Sequence, residues 1–226
     1  SNMIDTHCHI QFNAFKDDAE EVIKRCAEKG VILNVVGSQI DTSERAVEYA
    51  EKYKNVYATV GLHPVHLFES YVDEEEVKFK TREEDFDYER YKKLASHPKV
   101  IAIGECGLEL HHLPEGFLKE QVLEKQRKIF TLQYKLAQEL NLPIVIHIRD
   151  AYKEMAEVLR SLVGGPPPFL RGATGGLPSF EDTGGLNVSL KGRQTPLTPP
   201  LGKGRKPTIC GVVHCFTSNW EYAQKY

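Results

Sequence analysis

Apolar and polar positions along this chain alternate between two rhythms. Met3 to His7 opens as a strand with an apolar start, Met3-Ile4. Asp17 to Lys29 then places Ala19, Val22, Ile23 and Cys26 at the spacing of one helix face, with Gly30 where a helix cap belongs. Val31-Ile32-Leu33-Asn34-Val35-Val36 is a near-continuous β-branched run, the mark of a strand buried on both faces. The alternation continues with a helix over Thr42–Lys54, its Ala46, Val47 and Ala50 inward, and a strand over Val56–Leu62. A charged stretch, Asp73 to Lys93, follows, and its second half predicts a helix with a solvated face. Next come a fourth strand over Val100–Gly107, a long amphipathic helix over Glu115–Leu140, and a fifth strand over Ile144–His147. A helix from about Ala151 to Leu162 closes the series. Such strict β-α alternation predicts a parallel sheet with helices outside. The unit count favours an α/β fold of the (β/α) TIM-type barrel class over an open sheet. No Gly-x-Gly-x-x-Gly fingerprint follows the first strand, which argues against a dinucleotide fold.

The rhythm breaks at residues 164–208. This segment holds most of the chain's 17 glycines and 12 prolines and is net basic. Such composition does not bury a core, so the segment is expected to be a disordered Gly/Pro-rich insert within a single domain spanning 3–226. Its scarcity of aromatic residues (Phe169 and Phe180 alone) favours a flexible spacer over a nucleic-acid-binding element. Cys210 to Phe216 then resumes as a sixth strand. Without the insert, five βα units of about 33 residues precede it, a normal barrel repeat. Eight units need roughly 260 residues, so the barrel is expected to be incomplete, with about five and a half units present.

Composition adds bounds. The chain has 226 residues, 41% hydrophobic and 27% charged, with a net charge of −3. That is ordinary for a globular enzyme, and no global basic field argues for nucleic acid. No apolar run reaches the roughly 18 residues of a membrane span, and no signal-peptide pattern opens the chain, so a cytoplasmic protein without membrane contact, and a monomer, is expected. The five cysteines, Cys8, Cys26, Cys106, Cys210 and Cys215, read as reduced thiols.

The chemistry lies at the carboxyl ends of the strands. His7 and His9 stand two apart on the first strand and so point the same way. The third strand ends at His63, the fourth carries Glu105, the fifth His147 and the sixth His214. In a parallel barrel these ends share one face, where active sites are built. His7, His9, Glu105, His147 and His214 suit divalent Zn, Mn, Co or Mg. Five ligands are too many for one catalytic ion, so two ions bridged by Glu105 is the economical reading. His63 is placed near substrate, with loop capping as its alternative. For His66 a structural and a site role stand level. Arg149 is read as a phosphate clamp, against a plain salt bridge with Asp150. His97 is read as a surface turn residue, and His111 and His112 as solvent-exposed. Cys8, Cys106 and Cys215 neighbour proposed ligands on their strands and so should face the helix layer.

The segments Asp5-Thr6-His7-Cys8-His9, Val60-Gly61-Leu62-His63-Pro64, Gly104-Glu105-Cys106-Gly107-Leu108-Glu109, Pro143 to Ala151 and His214-Cys215-Phe216-Thr217 resemble the TatD family of metal-dependent deoxyribonucleases, which are amidohydrolase-type barrels. The resemblance covers nearly the whole chain outside the Gly/Pro-rich insert. It implies a distorted TIM barrel with two divalent metal ions. His7, His9 and Glu105 would hold one, and Glu105, His147 and His214 the other. The implied reaction is phosphodiester hydrolysis by a water activated between the two ions, often as a 3′–5′ exonuclease on DNA, with His63 and Arg149 positioning phosphate oxygens. Three departures stand out: Glu109 replaces a usual Asp, Ile148 replaces a usual Cys, and the family's eighth-strand Asp has no counterpart here. The last leaves a non-catalytic metal-binding protein as an alternative. Hydrolysis of another ester or an amide is a further one.

Overall fold

The computed structural model describes residues 3–69, 71–73, 78–163 and 211–214. The first strands and helices are β1 (Met3–Cys8), α1 (Ala19–Glu28), β2 (Val31–Val36), α2 (Ile40–Lys52) and β3 (Val56–Val60). A small antiparallel pair follows, β4 (Tyr71–Asp73) with β5 (Lys78–Lys80), and then α3 (Tyr88–Ala95). The remainder is β6 (Val100–Glu109), α4 (Lys119–Leu140), β7 (Ile144–Arg149), α5 (Tyr152–Val163) and β8 (Gly211–His214). Six strands form one sheet in the order β1-β2-β3-β6-β7-β8, and every neighbouring pair is parallel. Parallel strands laid down in chain order with helices between them make an incomplete TIM-type barrel, as the alternation predicts. The 164–208 insert lies outside the described residues.

The sheet has two chemically different faces because strand side chains alternate. Leu33, Val35, Val56, Ala58, Val60, Ile144, Ile146 and Ile148 join Ile23, Ala46, Phe130, Leu136 and Met155 of the helices in one hydrophobic core. The opposite face buries polar groups: Asn34, Thr59, Glu105, Glu109 and His147. Thr59 Oγ1 donates to Asn34 Oδ1 at 3.0 Å, and Asn34 Nδ2 donates to the Thr6 carbonyl at 3.0 Å, so the inner face is hydrogen-bonded as burial requires.

β6 departs from strict alternation where it matters most. Ile103 and Cys106 both join the core, and the pairing with β7 shifts register between them. Gly104 sits in that step at φ +142°, and a Cβ there would lie 2.5 Å from the Val145 carbonyl oxygen. The step puts Glu105, Gly107 and Glu109 on the polar face. Gly107 pairs with His147, and a Cβ on it would fall 1.9 Å from the His147 carbonyl oxygen, so no larger residue fits between the two glutamates.

Several boundaries move, each for a local reason. α2 begins at Ile40, not Thr42, because Thr42 Oγ1 accepts the Ser38 and Gln39 N–H groups from inside the first turn. α4 begins at Lys119, not Glu115, because Gly116 lies at φ +81° and interrupts any helix there. β6 runs two residues past the expected Gly107, and β7 two past His147. α4 also contributes two buried glutamines. Gln133 accepts from the Leu62 N–H (2.8 Å) and donates to its carbonyl (2.9 Å), and Gln126 clamps the Glu109 backbone in the same way (3.1 and 2.8 Å). No helix among the described residues is long and apolar enough to cross a membrane.

Candidate metal centre

Two groups of side chains on the polar face could each hold a cation: His7, His9 and Glu105, and His63, Glu105 and His147. Glu105 belongs to both. It is 4% exposed, and its carboxylate reaches one group with each oxygen. Oε2 lies 3.3 Å from His7 Nε2, while Oε1 lies 3.0 Å from His147 Nδ1 and 3.9 Å from His63 Nε2.

Hydrogen-bond partners decide where the ring protons are. His9 Nδ1 is 2.8 Å from the Val36 carbonyl oxygen, which only accepts, so Nδ1 carries the proton and Nε2 presents a lone pair. That lone pair faces His7 Nε2 at 3.2 Å, and Phe12 stacks on the His9 ring at 4.6 Å to hold it there. Gln11, 1% exposed, donates to the same Val36 oxygen at 2.7 Å. Two imidazole nitrogens and a carboxylate oxygen converging within hydrogen-bond range, with one lone pair fixed, are the donor chemistry of a divalent cation. The residues present therefore fit a metal ion.

The second group is more deeply buried. His147 is 6% exposed and stands between two carboxylates, Nδ1 toward Glu105 and Nε2 3.0 Å from Glu109 Oε2. Burial alone would raise the Glu109 carboxyl. The hydrogen bond and charge of His147 and the His111 backbone N–H outweigh it and hold the acid below its ordinary range. Glu109 is the residue that sequence reasoning missed, and the signal was present. Glu105, Gly107 and Glu109 are two apart on one strand and so share a face.

His63 behaves differently from the others. Val65 N–H donates to its Nδ1 at 3.2 Å, capping the short helix over Pro64–Leu67. Nδ1 is thus the acceptor, and in the neutral ring the proton sits on Nε2, which faces Glu105. Burial, reinforced by His147, keeps His63 well below the usual histidine range and therefore neutral. A protonated Nε2 donates and does not ligate. Nδ1 thus caps the short helix, as the alternative reading expects, and Nε2 faces Glu105.

The remaining expectations divide. Arg149 ends β7 opposite Glu109, half-buried. His214 lies in register with His147 on β8; its side chain is outside the described residues, as is Cys215. Cys8 Sγ contacts the Asn34 carbonyl (3.4 Å) and Cys106 Sγ the Val145 carbonyl (3.8 Å). Burial, with Asp5 second, pushes Cys8 up to about 12, and burial raises Cys106, so both stay thiols, and neither belongs to a ligand group. His66 joins neither group. It is buried, and burial pushes it down to about 4, with Arg82 adding to the effect. His111 is exposed and pairs with Asp150 at 2.8 Å. His112 corrects the expectation of exposure. Its side chain is 10% exposed and lies 3.7 Å from Glu109, because the chain turns inward where Glu109 Oε1 accepts the His111 and His112 N–H groups. His97 is half-buried in its turn, with Nε2 3.3 Å from Glu51.

A parallel, incomplete barrel that gathers histidines and buried carboxylates on its polar face defines a class of protein able to hold a divalent cation. Comparison with known proteins narrows this: the TatD related DNase family model matches residues 4–226, and the chain belongs to that family. It is 37% identical over 159 residues to the uncharacterized metal-dependent hydrolase YabD of Bacillus subtilis, covering 70% of this chain and 55% of YabD. It is 32% identical over 158 residues to the 3'-5' ssDNA/RNA exonuclease TatD of Cronobacter turicensis, covering 70% of this chain and 53% of that protein. The solved structure of YjjV, a TatD homolog from Escherichia coli K12, matches with a TM-score of 0.55 and 31% identity over 71% of this chain and 56% of that one. The chain spans about half the length of the curated relatives it matches.

Proposed function

We propose that the site is that of a metal-dependent phosphodiesterase acting on DNA, in the manner of a 3′–5′ exonuclease, with two divalent ions bridged by Glu105. The observation that carries this reading is the sharing of one buried carboxylate between two histidine groups, His7 with His9 on one side and His147 on the other. His214, in register beside His147, would complete the second group. Divalent ions held by these residues would supply an acidified water and neutralise charge on a phosphoryl group. The chain's own residues do the rest. His63 presents Nε2–H to a phosphate oxygen while Val65 holds the ring still. Arg149, at the end of β7, supplies a second, charged donor to the phosphate. The apolar core behind β6 and β7 keeps Glu105 and His147 from relaxing away from each other. Among the relatives, the name of the Cronobacter protein as an ssDNA/RNA exonuclease supports the substrate class.

The test is hydrolysis of end-labelled single-stranded DNA and of bis(4-nitrophenyl) phosphate in Mg²⁺ or Mn²⁺, with Glu105→Gln beside the unaltered chain. Metal-dependent cleavage lost in the variant is the expected result. Ions bound without cleavage of either substrate would sink the reading in favour of a non-catalytic metal-binding protein. Cleavage of carboxylic esters or amides alone would move the reaction to another bond.

A further inference from the structure

Glu109 stands four residues beyond the shared carboxylate on β6 and is held from several sides. It is 2% exposed. Its Oε1 accepts the His111 N–H at 2.7 Å and the His112 N–H at 3.2 Å, which leaves Oε2 aimed at His147 Nε2 at 3.0 Å. Gln126 of α4 fixes the Glu109 backbone through both its N–H and its carbonyl. The carboxylate therefore has one rotamer and one orientation. On the far side of the ring, His147 Nδ1 faces Glu105 Oε1 at the same 3.0 Å.

To ligate a cation the His147 imidazole must be neutral, with a single ring proton, and here two carboxylates face its two nitrogens. If the proton sits on Nδ1, it is shared with Glu105. Then the nitrogen lone pair and the carboxylate oxygen that would both ligate an ion are tied to each other. If the proton sits on Nε2, it is shared with Glu109, and Nδ1 and Glu105 Oε1 both turn lone pairs toward the same point. We infer that Glu109 is a positioning residue that holds the His147 ring proton on Nε2 and so keeps Nδ1 and Glu105 available to a divalent cation. It acts through His147 and does not touch substrate. A carboxylate behind a ligating imidazole fixes the tautomer and raises the ligand's basicity, and its loss typically costs about 10–100-fold in metal affinity or activity. The glutamate arm suits the task because one carboxylate must reach both the ring and the two backbone N–H groups of the following turn.

This inference rests on the placement of an ion between Glu105 and His147 in the proposed function, but its test does not need turnover. Long-range proton–nitrogen NMR on the metal-free chain, with His147 assigned by His147→Asn, reads the tautomer directly. The expected signal is the Nε2–H form in the unaltered chain, shifting toward Nδ1–H in Glu109→Gln. Mn²⁺ titration followed by calorimetry should show affinity lowered about 10–100-fold for one ion in Glu109→Gln, with the other ion unaffected. Glu109→Asp, which keeps an acceptor with a shorter arm, should recover the Nε2–H form and part of the affinity. An unchanged tautomer in Glu109→Gln overturns the inference. So does an equal loss at both ions accompanied by a lower melting temperature in both variants, which marks a purely structural residue. A chain that binds Mn²⁺ with the expected tautomer but cleaves no phosphodiester defeats the proposed function and leaves this inference standing.

Discussion

The two halves of the proposed site draw on histidines and one shared glutamate but rest on different supports. His7 and His9 sit at the end of β1, a strand at the edge of the sheet among the described residues, whose Met3 is 67% and Ile4 37% exposed. The contacts that hold them include the Val36 carbonyl, the stacked Phe12 ring and the shared Glu105 carboxylate. His147 sits on β7, between β6 and β8, with Ile146 and Ile148 packed into the core on either side of it. It is held by Glu105 and Glu109, and Glu109 is in turn clamped by α4. Burial thus separates a deeply enclosed, preorganised half from a more exposed one at the sheet edge. Preorganisation lowers the ordering cost that binding must otherwise meet, so the β7 half is expected to hold its ion more tightly.

The largest effect tests what the halves share. Glu105→Ala should remove ion binding from both groups together and cut any metal-dependent hydrolysis by more than about 100-fold, beyond the usual cost of losing an outer carboxylate. Calorimetry showing one ion still bound with undiminished affinity would separate the halves and break the bridged reading. Next, Gly107→Ala should disrupt the β7 half by forcing a Cβ against the His147 backbone. A loss of about 1–3 kcal/mol in urea unfolding is expected, the usual range for overpacking. An unperturbed melting curve would mean that the strands can part there. His7→Asn and His147→Asn then compare the halves directly. His147→Asn should weaken the tighter ion and His7→Asn the weaker one, and equal affinities for both ions in the unaltered chain would erase the contrast.

A smaller effect depends on pH, through a histidine outside both halves. His66 is buried and pushed down to about 4, against about 6.5 in the unfolded chain. Between those values the unfolded chain takes up a proton that the folded chain refuses. Its contribution to stability is therefore complete above pH 6.5 and is lost as the pH falls toward 4, by up to about 3 kcal/mol. Urea unfolding across that window should be flatter in His66→Gln, and identical slopes would show that His66 protonates in place. The smallest effect is expected from Cys8→Ala. Its thiol contacts the Asn34 carbonyl on β2, so ion affinity should not change. A drop in Zn²⁺ affinity would put sulfur in the β1 half after all.

Much of this was legible in the residues. Among the described residues the apolar runs and helical spacings mark the six sheet strands and four of the five α-helices, because burial on two faces or one leaves a period that survives in sequence, while α3 was legible only as the second half of a charged stretch. The short β4–β5 pair escaped, since its two three-residue strands, Tyr71–Asp73 and Lys78–Lys80, are mixed in polarity and fall at the start of a charged stretch with no strand period. Helix starts were misplaced at Thr42 and Glu115 because a cap can work from inside the first turn and a single left-handed glycine can delay a helix. That His7, His9, Glu105 and His147 would meet on one face could be read from strand position alone.

The sequence by itself determined the order of the elements, the parallel sheet, and which residue types arrive at one end of it, because hydrophobic period and strand polarity are local properties. Tertiary structure alone decided which partners the ring nitrogens of His9 and His147 face, the Val36 carbonyl for His9 and the Glu105 and Glu109 carboxylates for His147. It also decided that β6 slips its register at Gly104, turning Glu105 and Glu109 together onto the polar face. Both depend on groups far away in the chain or on the neighbouring strand, and no local pattern records which partner will stand there.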